Sequence, residues 1–171
     1  MTAARATRSR LVEWEEPAPL AETFQRQGGL AMLQGIIDGT LPSAPMSELL
    51  GLRLVEVQPG RAVWSAEPEE VHQNEGGLVH GGLASALLDT ALATTVLTRL
   101  GPGTRLAGLQ LGVNFLRPLK GAGPVRCEGR VVRLGRRVAV AEAELRSQST
   151  GELLATATST FSVLREEDER S

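Results

Sequence analysis

A curved antiparallel sheet wrapped around one long buried helix, an α+β architecture, is what the apolar pattern of this chain predicts. The helix is signalled by a weakly polar stretch from Gly81 to Thr98, free of proline and with glycine only at its start. The sheet is signalled by two strand-like runs before that stretch and four after it. The later runs are joined by short connections, which favour antiparallel pairing. One helix leaves part of such a sheet uncovered, so self-association is expected.

Composition limits what the chain can do. With 171 residues, one domain with a short appendage fits better than two. Apolar residues at 42% and charged residues at 22% exclude a disordered chain. A net charge of -2 gives no field to hold a nucleic-acid backbone, and 3% aromatics without tyrosine give no stacking platform for single strands. The single cysteine, Cys127, rules out an intrachain disulfide and fits a reducing compartment. Two histidines and one cysteine cannot build a standard structural zinc cage. Arg5, Arg8 and Arg10 are not followed by an apolar run, which argues against a secretory signal. Asp89 inside the apolar stretch argues against a membrane span, and a cytoplasmic location is expected.

The elements follow in order. Residues 1–28 read as a loose leader, broken by Pro17 and Pro19 and closed by Gly28-Gly29. Leu30 to Ile37 and Met46 to Leu50 read as short helices. Residues 1–47 thus form a partly helical N-terminal extension, a cover for the sheet or for a neighbouring subunit. The domain proper spans 48–165, and 166–171 is a charged tail. Leu52–Val57 and Arg61–Ala66 flank Gln58-Pro59-Gly60, a hairpin signal. Residues 67–79 are polar and form a loop. In the helix, Leu83, Leu87, Thr94 and Leu97 make one stripe and Leu88, Ala91, Leu92 and Thr95 the next, so it is apolar nearly all round and predicted to be buried. Leu109, Leu111, Val113 and Phe115 then alternate with Gln110, Gly112, Asn114 and Leu116, until Pro118. Val125–Leu134 and Val138–Leu145 are joined by Gly135-Arg136-Arg137. Ala155, Ala157, Ser159, Phe161 and Val163 alternate with polar residues after a turn at Ser149-Thr150-Gly151.

Chemistry concentrates in His72 to Thr90, HQNEGGLVHGGLASALLDT. Asp89 is the only ionisable side chain between His80 and Arg99. A carboxylate inside a buried helix must be paired, protonated or functional. Gly81 and Gly82 begin the helix, where backbone N–H groups are unpaired and the dipole is positive, so a ligand oxygen can approach and a carbonyl can be polarised there. The alternative is a glycine pair that only lets the chain turn. Asn74 could hold a water or a substrate oxygen, or simply build a turn. His80 could be base, orienting group or packing residue. His72 is expected to be exposed and without a role. Cys127 reads as a packed thiol. Arg117, Lys120, Arg136 and Arg137 are candidates for phosphate contacts, or else solvated hairpin residues. Gly-x-Ser-x-Gly and phosphate-loop motifs are absent.

Spacing adds a constraint. Asp89 lies eight residues beyond Gly81, about 12 Å along a helix. One reacting group cannot touch both from the same chain. Two such helices related by a two-fold axis would pair each Gly81 with the other chain's Asp89.

The run Asn74, Gly77, His80, Gly81, Gly82, Asp89, together with VNFLRP at 113–118 and GRVVRLGRRV at 129–138, resembles the hotdog-fold acyl-CoA thioesterases of the phenylacetate-degradation (PaaI-like) type. The resemblance covers about residues 48 to 164. It implies a hotdog fold, a homodimer commonly paired into a homotetramer, and hydrolysis of an acyl-CoA substrate to free acid and CoA. Water-driven hydrolysis of a thioester needs no metal and no cofactor, and none is expected. It implies that Asp89 acts as base or nucleophile, that the Gly81 amide polarises the thioester carbonyl, and that Asn74 and His80 orient substrate or water. Gly82, Thr90 and Arg117 are the expected substrate contacts. Many relatives add a Ser or Thr hydroxyl. Here Ala93 follows Asp89 by one turn and Gly108 opens the next strand, leaving Thr90, Thr94 or Thr104 as substitutes. Two other activities fit the same scaffold: a non-catalytic acyl-CoA-binding module, and an acyl-CoA hydratase or dehydratase.

Overall fold

The computed structural model of the chain describes residues 6–119 and 123–165; Lys120 and the tail 166–171 lie outside the described residues. Three helices come first, α1 (Ala18–Gln27), α2 (Gly29–Ile37) and α3 (Pro45–Leu50). The hairpin β1 (Leu52–Gln58) and β2 (Arg61–Ala66) follows, then the long helix α4 (Gly81–Leu97). The chain continues through β3 (Thr104–Phe115), β4 (Val125–Leu134), β5 (Val138–Ser147) and β6 (Leu153–Arg165). These six strands form one antiparallel sheet in the order β1-β2-β4-β5-β6-β3. The architecture is the predicted α+β one, with α4 on the inner face of the sheet.

Period-two burial makes that face. Ala139, Ala141, Ala143 and Leu145 of β5 and Ala155, Ala157, Ser159, Phe161 and Val163 of β6 are all buried, while Arg61 and Glu128 on the outer face bind through two hydrogen bonds of 2.7 and 2.8 Å. Leu87, Leu88, Ala91, Leu92 and Val96 of α4 fill the inner side. The Trp64 indole N–H donates to the Thr94 hydroxyl at 2.8 Å, so the buried polar edge of this ring is satisfied.

Helix and sheet meet most closely at Gly129 of β4. A methyl group there would lie 2.8 Å from the Ala91 carbonyl oxygen and would also collide with Thr95 Oγ1. Both obstacles belong to α4, and the carbonyl is backbone, so it cannot swing aside. Gly129→Ala is therefore expected to cost about 1–3 kcal/mol by overpacking. Thermal unfolding should show a fall of about 2–12 °C at this chain length. An unchanged melting temperature would mean that α4 rides loosely on the sheet.

The structure corrects one reading of the extension and narrows another. Pro17 and Pro19 do not break the leader; they open α1, because proline's fixed φ and missing N–H suit a first helical turn. α2 is a cover for this chain's own core. It packs beside α4 against β1, Leu33 is 1% exposed, and the Gly29 N–H donates to the Leu100 carbonyl at 2.9 Å. A side chain at Gly29 would strike the Leu97 carbonyl, so the start of α2 sits directly on the end of α4.

β3 also differs from expectation. It begins at Thr104, so Gly108 lies inside the strand and does not open it. A bulge between Gly108 and Gln110 leaves Leu109 without a partner and 62% exposed. The bulge sets the register of the rest of the strand. Leu111, Val113 and Phe115 stand opposite Ser159, Ala157 and Ala155, on the face that holds α4. β3 is an edge strand, and Leu111 and Phe115 remain exposed along it together with Leu109.

Candidate active site

The loop before α4 is built by its own polar groups. Asn74 Oδ1 accepts from the Gly76 N–H at 2.9 Å and the Leu78 N–H at 3.1 Å, and the Asn74 N–H donates to the Leu78 carbonyl at 2.7 Å. Its side-chain oxygen is therefore spent on the turn, and the Nδ2 amide is what it can offer a ligand. Val79 is buried, bridges to Gln73, and donates its N–H to the Leu119 carbonyl at 3.2 Å. The loop ends at His80, which is in extended backbone and caps α4.

The cap divides the two glycines. His80 Nδ1 accepts the Gly82 N–H at 2.8 Å, so the neutral ring carries its proton on Nε2. A side chain at Gly82 would sit 2.8 Å from that Nδ1, so glycine is what lets the imidazole lie over the first turn. The Gly81 N–H has no acceptor among the described residues. One amide at the positive end of α4 is thus claimed by the cap and its neighbour is left open. The Phe115 ring lies against Gly81, 3.2 Å from where a Cβ would be, and walls this amide on the β3 side. From the sequence Phe115 reads only as a strand residue; its place in the VNFLRP run is the signal that points to it.

Asp89 is not buried in the single chain, contrary to the sequence reading. Gly82 and Asp89 are exposed and Ala86 and Ala93 half-buried, making one uncovered stripe of small residues along α4. The periodicity overstates burial because alanine and glycine count as apolar yet need nothing over them. The Asp89 carboxylate has no hydrogen bond or ion pair among the described residues. Partial desolvation on the helix raises its pKa from the ordinary aspartate value.

The hydroxyls nearby are mostly engaged. Ser85 Oγ donates to the Gly81 carbonyl at 3.0 Å, Thr94 Oγ1 donates to the Thr90 carbonyl at 2.7 Å while accepting from Trp64, and Thr104 Oγ1 donates to the Gly101 carbonyl at 2.6 Å. The Thr90 side chain is half-buried and makes no hydrogen bond among the described residues. Arg117 pairs with Glu152 at 2.8 Å on the rim of a cleft of about 370 Å³. That cleft has an apolar floor of Val79, Leu119, Val125 and Leu154 and a rim that includes Ser147, Ser149 and Thr150. Arg136 and Arg137 are exposed on the β4–β5 turn. Cys127 is fully buried and desolvation pushes its thiol up, so it is the packed thiol expected from the sequence. No group of three or more His, Cys, Asp or Glu that could hold a metal ion gathers among the described residues.

The sequence model of the thioesterase superfamily matches residues 76–154. The 1,4-dihydroxy-2-naphthoyl-CoA hydrolase of Listeria monocytogenes is 30% identical over 119 residues, which is 69% of this chain and 94% of that protein. The chain belongs to the thioesterase superfamily. As a thioesterase it is also similar to the acyl-coenzyme A thioesterase 13 of Homo sapiens, 26% identical over 124 residues, with 72% of this chain and 88% of that one covered. The solved structure of a mutant phenylacetic acid degradation protein PaaI from Thermus thermophilus overlays with a TM-score of 0.64 at 34% identity, covering 70% of this chain and 98% of that one. The fold is thus the hotdog fold of PaaI-like relatives, and the enzyme is a thioester hydrolase. The matched span holds His80, Gly81, Gly82, Asp89 and Arg117 and starts just after Asn74. The thioesterase has no helix among its described residues long and apolar enough to cross a membrane.

Proposed function

We propose that this thioesterase hydrolyses acyl-CoA thioesters at two equivalent sites of a homodimer, each made by Gly81 of one protomer and Asp89 of its partner. The observation that carries the reading is a pair of unclaimed groups on one helix, the Gly81 N–H and the Asp89 carboxylate. They stand about 12 Å apart, too far to meet on one carbonyl. A two-fold axis brings such a pair together twice. The edge of β3, with Leu109, Leu111 and Phe115 exposed, offers the apolar surface for that contact. The small residues Gly82, Ala86 and Ala93 allow close approach around Asp89. The names of the Listeria and human relatives support CoA as the thiol carrier.

In the reaction, Asp89 takes a proton from water as the water oxygen attacks the thioester carbonyl carbon. The raised carboxyl suits that work, since a better proton acceptor is a better general base. The carbonyl oxygen becomes an oxyanion facing the Gly81 N–H and the positive end of α4. The tetrahedral carbon then collapses, the C–S bond breaks, and the departing thiolate takes back the proton from Asp89. Free acid and CoA thiol are released. His80 and the Asn74 amide orient water and substrate. Thr90, Gly82 and Arg117 line the path of the substrate, with Arg117 toward its phosphates. No metal or redox step is needed. A hydratase would leave the thioester intact, so release of free thiol separates the two chemistries.

Mixing two inactive variants tests the shared site. In a heterodimer of an Asp89→Asn chain with a Gly81→Pro chain, one site keeps Gly81 from the first and Asp89 from the second. Random re-pairing should restore about a quarter of wild-type sites. Thiol release that stays at the level of the separate variants, with heterodimers present by mass, would refute a site built across two chains.

A further inference from the structure

A single 3-10 turn at Glu70–His72 precedes the superfamily match and contains no residue given a role above. The sequence suggests an exposed His72; instead it is half-buried and makes a reciprocal pair with the start of its own turn. Its Nδ1 accepts the Glu69 N–H at 2.9 Å, while the Glu69 carboxylate accepts the backbone N–H of His72. Because Nδ1 accepts, Nε2 carries the proton. Nε2 therefore faces Arg10 Nη1 at 3.4 Å as one donor packed beside another, without a hydrogen bond. Arg10 itself lies 3.8 Å from the Glu69 carboxylate, and Arg8 lies 3.4 Å from that of Glu70. Two arginines of the N-terminal arm thus bracket the turn.

The turn is tied to the active helix by one short bond. The His72 carbonyl accepts the His80 N–H at 2.7 Å, and His80 then caps Gly82. A rotation of the turn would remove the acceptor of His80, swing the cap, and re-aim the amide beside it.

We propose that His72 is a positioning residue of the thioester-hydrolysing site: the turn its imidazole locks holds His80, and through His80 the direction of the unclaimed Gly81 N–H. The proposal rests on the reading that this N–H polarises the substrate carbonyl. Burial, and then the nearby Arg10, hold the His72 pKa below its ordinary value. The ring stays neutral at neutral pH, and Nδ1 stays an acceptor.

The test compares His72→Ala with His72→Asn, whose Oδ1 can accept the Glu69 amide from nearly the place of Nδ1. Turnover of an acyl-CoA panel is measured by thiol release, beside wild type and Asp89→Asn. His72→Ala should lose about tenfold in kcat with KM within about twofold, since a misaimed donor fails the transition state more than the ground state. His72→Asn should recover most of that loss. Wild-type kcat in His72→Ala, or equal loss in both variants, overturns the proposal. If His72→Ala does not fold, His72→Leu keeps the bulk, lacks the acceptor and carries the same expectation. Asp89→Asn separates the two levels. If it is inactive while His72→Ala is normal, only the positioning role falls; if it turns over normally, the site itself falls and this role with it.

Discussion

Asp89→Asn is expected to lower thioester turnover by about 10²–10⁴-fold, the range that a positioned general base contributes. Asn is nearly isosteric and the carboxylate has no partner among the described residues to orphan, so the fold should survive. The direction of its pKa shift makes a second, independent expectation. An acid whose pKa is raised in the folded state makes the fold more stable at low pH, and that gain is lost as pH rises through the folded value. At neutral pH the charged carboxylate is therefore a cost to the fold, and Asp89→Asn should melt at the wild-type temperature or slightly above it. The same shift moves the acid limb of the wild-type kcat/KM profile upward from where an ordinary aspartate would put it, with activity falling as pH drops through it. Near-normal thiol release by a folded Asp89→Asn would remove the assignment.

Gly81→Pro should lower kcat by about 10²–10³-fold, as loss of one oxyanion donor does, while leaving α4 in place. Proline deletes the N–H and nothing else that the helix uses. Gly81 is the first helical residue, where proline is well tolerated, and His80 already has the extended backbone (φ -64°, ψ 135°) that a residue before proline requires. The ring carbon would meet Phe115 at 3.2 Å, a contact an exposed side chain can relieve by a small turn. Helix content and melting temperature serve as the control, and thiol release is the readout. If turnover persists, the carbonyl oxygen is polarised elsewhere and the mechanism is wrong at its centre.

How legible these features are depends on how local they are. The hairpin at Gln58-Pro59-Gly60, the alternating strands and the span of α4 can all be read from neighbours within a few residues, since burial on one face repeats every two or 3.6 positions. The prolines of the leader mislead because proline breaks a helix inside and begins one at its first turn, and only the chain on either side decides which. The bulge at Leu109 is invisible in the sequence because one extra residue leaves the alternation intact on paper while shifting the pairing that gives it a direction. Asn74, Gly81, His80 and Asp89 are marked by residue type and spacing. Which amide the cap takes, and which it leaves, is not.

Residue type and backbone periodicity act over short stretches of chain, and they suffice to place the hairpin, the strands, the span of α4 and the segment where chemistry gathers, but not α1 or the open stripe of α4. Packing between distant residues settled the remainder. It sent β3 past β4, β5 and β6 to the far edge of the sheet and laid α2 on the end of α4. It gave Gly82 to the cap, left Gly81 open beside Phe115, and kept Asp89 on an uncovered stripe. Those outcomes depend on contacts between residues far apart in the chain, whose energies exist only once the sheet has closed around the helix.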